Sequence, residues 1–154
     1  MHENETLIEN FYNAFATLDA PTMLAAYHED IEFSDPVFQS LKGDQAGKMW
    51  TMLCAQAKDF ELEFRDITAD DKVGCAHWEA SYTFSLTGRR VHNVIDASFH
   101  FKDAKIVKHE DSFDFRRWCS MALGPMGILL GWTPFLQNKI RRSAEENLMK
   151  FKAK

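Results

Sequence analysis

The sequence has few cysteines and little positive charge, and both shortages argue against whole classes of protein. Its three cysteines, Cys54, Cys75 and Cys119, are widely spaced and form no Cys-x-x-Cys pair. A scattered, odd-numbered set indicates reduced thiols in a cytoplasmic protein and gives little support for a metal site. Lys and Arg number 18 against 23 Asp and Glu, a formal net charge of −5. A nucleic-acid binder needs a basic face, so we expect no nucleic-acid partner.

Long apolar runs and cofactor motifs are also missing. The most apolar stretch, residues 121–136, contains three glycines and two prolines, so it is too short and too broken to cross a bilayer. The N-terminal residues MHENETLIENF are polar and acidic from the start, unlike a signal peptide. We therefore expect no membrane partner. No phosphate loop, dinucleotide fingerprint or HExxH spacing occurs, so the sequence predicts neither a cofactor nor a metal.

The residues that are present predict helices first and strands afterwards. Apolar residues at spacings of three and four predict helices over residues 3–18 and from about 44 to 57, with a short helix between them after Asp19. Residues 28–30 are expected to form a turn that leads into a short strand at residues 31–33. Strict alternation then predicts strands over 60–64, 73–86 and 90–101 and a closing hairpin. The fold class is thus α+β, with N-terminal helices on a curved antiparallel sheet.

The hairpin at residues 93–114 carries the strongest chemical signal. Its first strand contains Asp96 within a β-branched and aromatic run, and its second contains His109 and Asp111 two residues apart on one face. A carboxylate in an apolar strand is costly unless it is paired or used. We therefore expect Asp96 to project into a dry cavity. His109 is either oriented by Asp111 or belongs to an ordinary surface pair, and the sequence leaves both open.

Beyond residue 118 the pattern changes. Residues 121–136 are apolar without a clean period. We expect them to form a buried loop over an apolar opening; the alternative is an exposed surface that docks on a partner. A basic, polar helix follows from Pro134 to about Lys150. The chain is therefore a single domain, residues 1–154, in which 118–154 form a C-terminal extension that covers the pocket.

The layout resembles the nuclear-transport-factor-like cone fold, which includes ketosteroid isomerase and the SnoaL-like polyketide cyclases. Ala25–Asp30 leading into Ser34-Asp35-Pro36-Val37 looks like the isomerase segment that ends in its general base. Ile95–Phe101 is similar to the strand that holds its protonated carboxyl. The resemblance implies catalytic roles for Asp35 and Asp96, although Asp35 also fits an ordinary Asp-Pro turn. The isomerase's oxyanion-hole Tyr lies on the first helix and would align with Phe11 here, while Tyr12 is one residue off and on the wrong helical face.

Within such a cone, core and pocket lining are the same surface. We expect a pocket for a small hydrophobic molecule, lined by Phe11, Phe15, Tyr27, Trp50, Trp78, Tyr82, Phe84 and Phe113. Asp96, Asp35, His109 and Asp111 would carry proton transfer in an isomerisation, cyclisation, dehydration or hydrolysis. The alternative is a non-catalytic module for ligand binding or protein association. The resemblance also implies a homodimer, with the outer face of the sheet, including His77, Glu79 and Ile95, covered by the second copy.

Overall fold

The computed structural model describes residues 1–152 as a curved six-stranded sheet with helices at both ends of the chain. In chain order the elements are α1 (Glu3–Ala16), α2 (Ala20–Ala25), β1 (Tyr27–Ser34), β2 (Leu41–Lys42), α3 (Asp44–Gln56), β3 (Glu61–Ala69), β4 (Val73–Thr83), β5 (Arg90–Lys102), β6 (Lys105–Ser112), α4 (Phe115–Leu123), α5 (Pro125–Leu130) and α6 (Pro134–Lys150). The α+β class is confirmed, and three further helices follow the sheet.

The strands lie in the order β2-β1-β6-β5-β4-β3. From β3 to β6 each strand pairs antiparallel with the next, and β1 lies parallel to β6. The predicted turn at residues 28–30 is wrong, because these residues continue β1. An irregularity in the register between Tyr27 and Glu32 accommodates them within the strand.

The predicted hairpin between β5 and β6 is confirmed. Asp103 and Ala104 both have positive φ, 53° and 62°, as the tightest hairpin turn requires. The register then skips Val107, so the alternation of β6 shifts by one residue. Strict alternation counted back from His109 would bury Val107, but this shift buries Ile106 instead.

The core fills the space between the N-terminal helices and the concave face of the sheet. α1 packs against β3 and β4 with a buried side that includes Ile8 and Phe15. α3 adds Met49 and Trp50, and the sheet adds side chains that include Phe33, Trp78, Ile95, Ala97 and Phe99. Ile95 thus belongs to the core, and the expectation that it lies on the outer face of the sheet is wrong.

Residues 121–136 do not form the buried loop that the sequence predicted. They comprise the end of α4, all of α5 and the start of α6. α4 packs over the sheet through the buried side chains of Phe115, Trp118 and Cys119. Six apolar side chains of α5 and the residues after it are instead exposed, by 42–72%: Met126, Ile128, Leu129, Leu130, Trp132 and Phe135.

Glycine explains why these side chains face outward. On α5, Gly127 lies so close to the backbone of Cys119 that an added Cβ would collide with the Cys119 carbonyl oxygen. A Cβ on Gly131 would likewise meet the Gly127 carbonyl oxygen and the Cys119 side chain. Because glycine occupies the side of α5 that contacts α4, the larger apolar residues are left on the opposite side. Among residues 1–152, no helix is long and apolar enough to cross a membrane.

Candidate functional site

A buried histidine–aspartate pair lies inside the sheet. The Nε2 atom of His109 is 2.9 Å from Oδ1 of Asp111, and the two residues are 0% and 4% exposed. The same oxygen accepts a hydrogen bond of 3.3 Å from the indole nitrogen of Trp78. Of the two alternatives that the sequence left open, the structure therefore shows the oriented pair rather than a surface pair.

The other ring nitrogen of His109 continues this network. Tyr27 places its hydroxyl 2.7 Å from Nδ1 of His109, and the indole of Trp50 donates to that hydroxyl at 2.8 Å. Every donor has an acceptor when Tyr27 donates to Nδ1 and the imidazole proton sits on Nε2, so we assign that tautomer. The network joins β1, α3, β4 and β6 through buried polar groups alone.

Aromatic rings enclose the imidazole on all sides. The ring centre of His109 lies 4.5 Å from that of Phe99, 5.1 Å from Phe33 and 5.6 Å from Phe11. Trp50 stacks on it at 6.1 Å with an interplanar angle of 17°. With both nitrogens bonded and the ring faces covered, His109 has no open position from which to touch a bound molecule.

Asp35 lies just after β1 and is only partly buried. Its Oδ1 accepts the backbone N–H groups of Val37 and Phe38, at 2.7 and 2.6 Å, which is the geometry of an Asp-Pro turn. Burial nevertheless raises the pKa of the carboxyl from 3.8 to about 7, and the charge of Asp111 adds to the rise, while the two backbone bonds oppose it. Asp35 is thus a turn residue and also a carboxyl that titrates near neutrality.

Tyr82 is bonded to α4 and feels the charge of the Asp35 carboxyl. The Tyr82 hydroxyl accepts a hydrogen bond of 2.8 Å from the indole of Trp118 on α4. Burial raises the pKa of Tyr82, and the charge of Asp35 raises it further. α6 is tied to the same loop, because Arg141 donates from Nε to the carbonyl of Pro36 at 2.8 Å. The C-terminal helices therefore lie over the Asp35 end of the sheet.

Tyr12 also lies in this interior and is fully buried, so the expectation that it is on the wrong face of the first helix is wrong. Its hydroxyl is buried, and among residues 1–152 it has no hydrogen-bond partner. Burial raises its pKa well above the ordinary value, and the charge of Asp111 adds to that effect. The signal was present in the sequence, because Ile8, Tyr12 and Phe15 fall at i, i+4 and i+7 on one helical face. An unpaired buried hydroxyl is costly, and it is a donor available to a ligand.

Asp96 is not where the sequence placed it. Its side chain is 80% exposed on the outer face of the sheet, so the prediction that it projects into a dry cavity is wrong. The carboxylate lies 2.9 Å from Nδ1 of His77, whose Nε2 is 2.8 Å from Glu79. The buried face of β5 carries Val91, Asn93, Ile95, Ala97 and Phe99, and alternation puts Asp96 on the opposite face.

The aromatic residues predicted to line a pocket are all in the interior. Phe11, Phe15, Tyr27, Trp50 and Trp78 are buried in the main core, while Tyr82, Phe84 and Phe113 are partly buried near α4. Of these residues, Tyr27 also borders two open clefts at the surface, of about 390 and 410 Å³, beside His28 and Glu29. Among residues 1–152, no group of three His, Cys, Asp or Glu side chains could hold a metal ion.

Solved structures of known proteins share this fold. An NTF2-like protein of unknown function from Burkholderia pseudomallei superposes with a TM-score of 0.69 at 18% identity, over 79% of this chain and 98% of that one. A Mycobacterium tuberculosis protein described as an LEH-like epoxide hydrolase superposes with a TM-score of 0.65 at 22% identity, over 83% of this chain and 95% of that one. A putative polyketide cyclase from Xanthomonas campestris has a TM-score of 0.65 at 20% identity, over 78% of this chain and 96% of that one. At these identities the likeness shows the fold alone.

The fold is therefore that of the NTF2-like α+β cone proteins. Residues 8–109, more than half of the chain, match the SnoaL-like domain, and the protein belongs to that family. No protein of curated function matches the chain significantly.

Proposed function

We propose that the protein binds a small hydrophobic molecule within the cone and catalyses a proton transfer on it without a cofactor. The reaction class is isomerisation, cyclisation, dehydration or hydrolysis. The observation that carries the proposal is the pKa of Asp35, raised to about 7 mainly by burial. A general base or acid works best when its pKa lies near the working pH.

Asp35 is the group that moves the proton. Both of its side-chain hydrogen bonds end on Oδ1, which leaves Oδ2 as the oxygen to exchange a proton with a bound molecule. The deprotonated form is the base, and it becomes populated as the pH rises through about 7. Tyr12 supplies the hydrogen-bond donor, because its buried hydroxyl has no partner among the described residues. Such a donor stabilises an oxygen that becomes negative when a neighbouring carbon loses its proton.

His109 and Asp111 hold the site rather than react. Their mutual bond and the Tyr27 bond use both imidazole nitrogens, so His109 acts as a positioning residue. Asp111 supplies a fixed negative charge that contributes to the high pKa of Asp35. Like charges near one another keep one carboxyl protonated at a pH where an isolated carboxyl would ionise.

Exchange of carbon-bound hydrogen tests the proposal without knowledge of the natural substrate. A panel of cyclic ketones and aromatic β-keto esters is incubated with the protein in D₂O, and deuterium incorporation is followed by NMR. We expect protein-dependent exchange that rises with pH around 7 and is lost in Asp35→Asn. Asp96→Asn, a change in an exposed carboxylate on the opposite face of the sheet, is the matched control and retains exchange. Exchange that persists in Asp35→Asn contradicts the assignment.

A second candidate is a non-catalytic module that binds a ligand or another protein. The close ring packing around His109 supports it, because a filled interior leaves little room for chemistry. Binding of panel compounds, measured by calorimetry, without any deuterium exchange favours this candidate. We also propose that the protein forms a homodimer through the outer face of the sheet, which sedimentation of the wild-type chain tests.

A further inference from the structure

Six exposed apolar residues lie within ten positions of the C-terminal extension, and we call them the α5 surface: Met126, Ile128, Leu129, Leu130, Trp132 and Phe135. They come from α5, the turn after it and the first turn of α6. The α5 surface contains two of the side-chain types that concentrate where a membrane meets water, Trp and Phe, together with aliphatic residues that insert among acyl chains. Exposed apolar clusters of this kind mark interaction sites.

The charge around the α5 surface is opposite to that of the rest of the protein. Residues 115–144 contain five Lys and Arg and no Asp or Glu, and Glu145 and Glu146 follow directly in the second half of α6. The rest of the chain then has 13 basic and 23 acidic residues, a formal charge of −10. A positive segment on an acidic protein favours a negatively charged partner and orients the molecule towards it.

The basic side chains adjoin the apolar ones along α6. Phe135, Lys139 and Arg142 are spaced i, i+4 and i+7, so they share one face of the helix, and all three are exposed. The acidic Glu146 comes on this face only one turn beyond Arg142, at the end away from the apolar residues. An apolar cluster flanked by Lys and Arg on the same face fits the surface of an anionic bilayer. The apolar residues enter the acyl boundary and the cations meet the headgroups.

We propose that the α5 surface binds the protein peripherally to anionic lipid membranes. The surface of a second copy is a poorer occupant, because two such surfaces facing each other would bring Lys139 and Arg142 of one copy against the same cations of the other. The proposal replaces the expectation of no membrane partner, which rested on the absence of a membrane-spanning run. It is independent of the chemistry proposed for Asp35.

The natural probe is Trp132. It is 61% exposed, whereas Trp50, Trp78 and Trp118 are buried. Adding phosphatidylglycerol-containing vesicles to the full chain should therefore shift the fluorescence to shorter wavelength through Trp132 alone. Vesicles of phosphatidylcholine only should produce little shift, and high salt should reverse the shift that anionic vesicles cause. Trp132→Phe should abolish the shift but keep co-sedimentation with anionic vesicles.

Matched charge variants distinguish vesicle binding through the α5 surface from non-specific binding. Leu129→Glu, at a side chain 70% exposed, should lower vesicle affinity at least about tenfold, while Leu86→Glu, at one 75% exposed in the β4–β5 turn, should not. Lys139→Glu should lower the vesicle affinity about tenfold, and Lys102→Glu, at the last residue of β5, should leave it nearly unchanged. Circular dichroism checks that each variant is folded.

Three outcomes would overturn the proposal. The first is that wild-type protein sediments with neither type of vesicle. The second is equal binding of Leu129→Glu and wild type to anionic vesicles. The third is a wild-type dimer that Leu129→Glu converts to a monomer without any vesicle binding, which would assign the α5 surface to a second copy of the chain.

Discussion

The hydroxyl of Tyr27 lies 2.7 Å from Nδ1 of His109, and this contact joins β1 to β6 inside the core. The same hydroxyl accepts the indole proton of Trp50. Tyr27→Phe removes one oxygen and leaves two buried nitrogens without partners. Because each unpaired buried polar group costs free energy, we expect the free energy of unfolding to fall by about 2–4 kcal/mol. Urea denaturation of the two proteins measures the difference.

Tyr12→Phe should behave in the opposite way. Its hydroxyl is buried without a hydrogen-bond partner among residues 1–152. Removing the hydroxyl therefore removes the free-energy cost of taking it out of water without a new hydrogen bond. We expect the free energy of unfolding to stay the same or rise by about 1 kcal/mol. If Tyr12 is the donor for a bound molecule, the same variant loses deuterium exchange. A loss of stability comparable to that of Tyr27→Phe would show that the Tyr12 hydroxyl has a partner.

The high pKa of Asp35 makes stability depend on pH. The folded protein holds this proton more tightly than the unfolded chain, so unfolding releases a proton between about pH 4 and 7. Stability therefore decreases as the pH rises through that range. The decrease amounts to at most about 4 kcal/mol, because one pH unit corresponds to about 1.4 kcal/mol.

Asp35→Asn isolates this effect. The amide oxygen still accepts the N–H groups of Val37 and Phe38, but it does not ionise. We expect the variant to gain stability over wild type on going from pH 5 to pH 8 in urea denaturation. Asp30→Asn, a change in a side chain 70% exposed, should show no comparable gain. Parallel pH profiles for wild type and Asp35→Asn would contradict the burial of the carboxyl.

Asp96 has a testable partner on the outer face of the sheet. Its hydrogen bond is the largest cause of the raised pKa of His77, and the bond to Glu79 adds to it. The bonds from His77, His92 and Arg65 in turn lower the pKa of Glu79 to about 2. Asp96→Asn should therefore lower the pKa of His77, measured by NMR titration of its Cε1–H group. Glu110→Gln is the control, and an unchanged His77 pKa in Asp96→Asn would contradict this placement.

The contact between α4 and α5 depends on the absence of one side chain. A Cβ at Gly127 would collide with the carbonyl oxygen of Cys119, and a backbone atom cannot move aside. Gly127→Ala should lower the unfolding free energy by about 1–3 kcal/mol through this overlap. Gly47→Ala on α3 is the matched control, because its Cβ would meet the flexible end of Leu24. Equal stability of the two variants would show that α5 does not pack as described.

Sequence periodicity predicted most elements but not which strand face is buried. Alternation divides β5 correctly into two faces. The expected burial of Asp96 follows from its apolar neighbours in the sequence, but those neighbours lie on the other face of the strand. The face of Asp96 also carries the polar residues Ser98 and His100. Burying that face would have desolvated three polar groups, while the opposite face carries Ile95 and Phe99. The exposure of the apolar residues of α5 could not be predicted from the sequence either. It depends on the close approach of Gly127 to Cys119, a tertiary contact that the spacing of apolar residues does not indicate.

The pKa of Asp35 is the most direct test of the proposed function. Its carboxyl carbon can be followed by ¹³C NMR from pH 3 to 9, with Asp35→Asn identifying the resonance. Burial and the charge of Asp111 predict a midpoint near 7. A midpoint near the ordinary value of 3.8 would mean that water solvates the carboxyl, and it would contradict the proposed proton transfer.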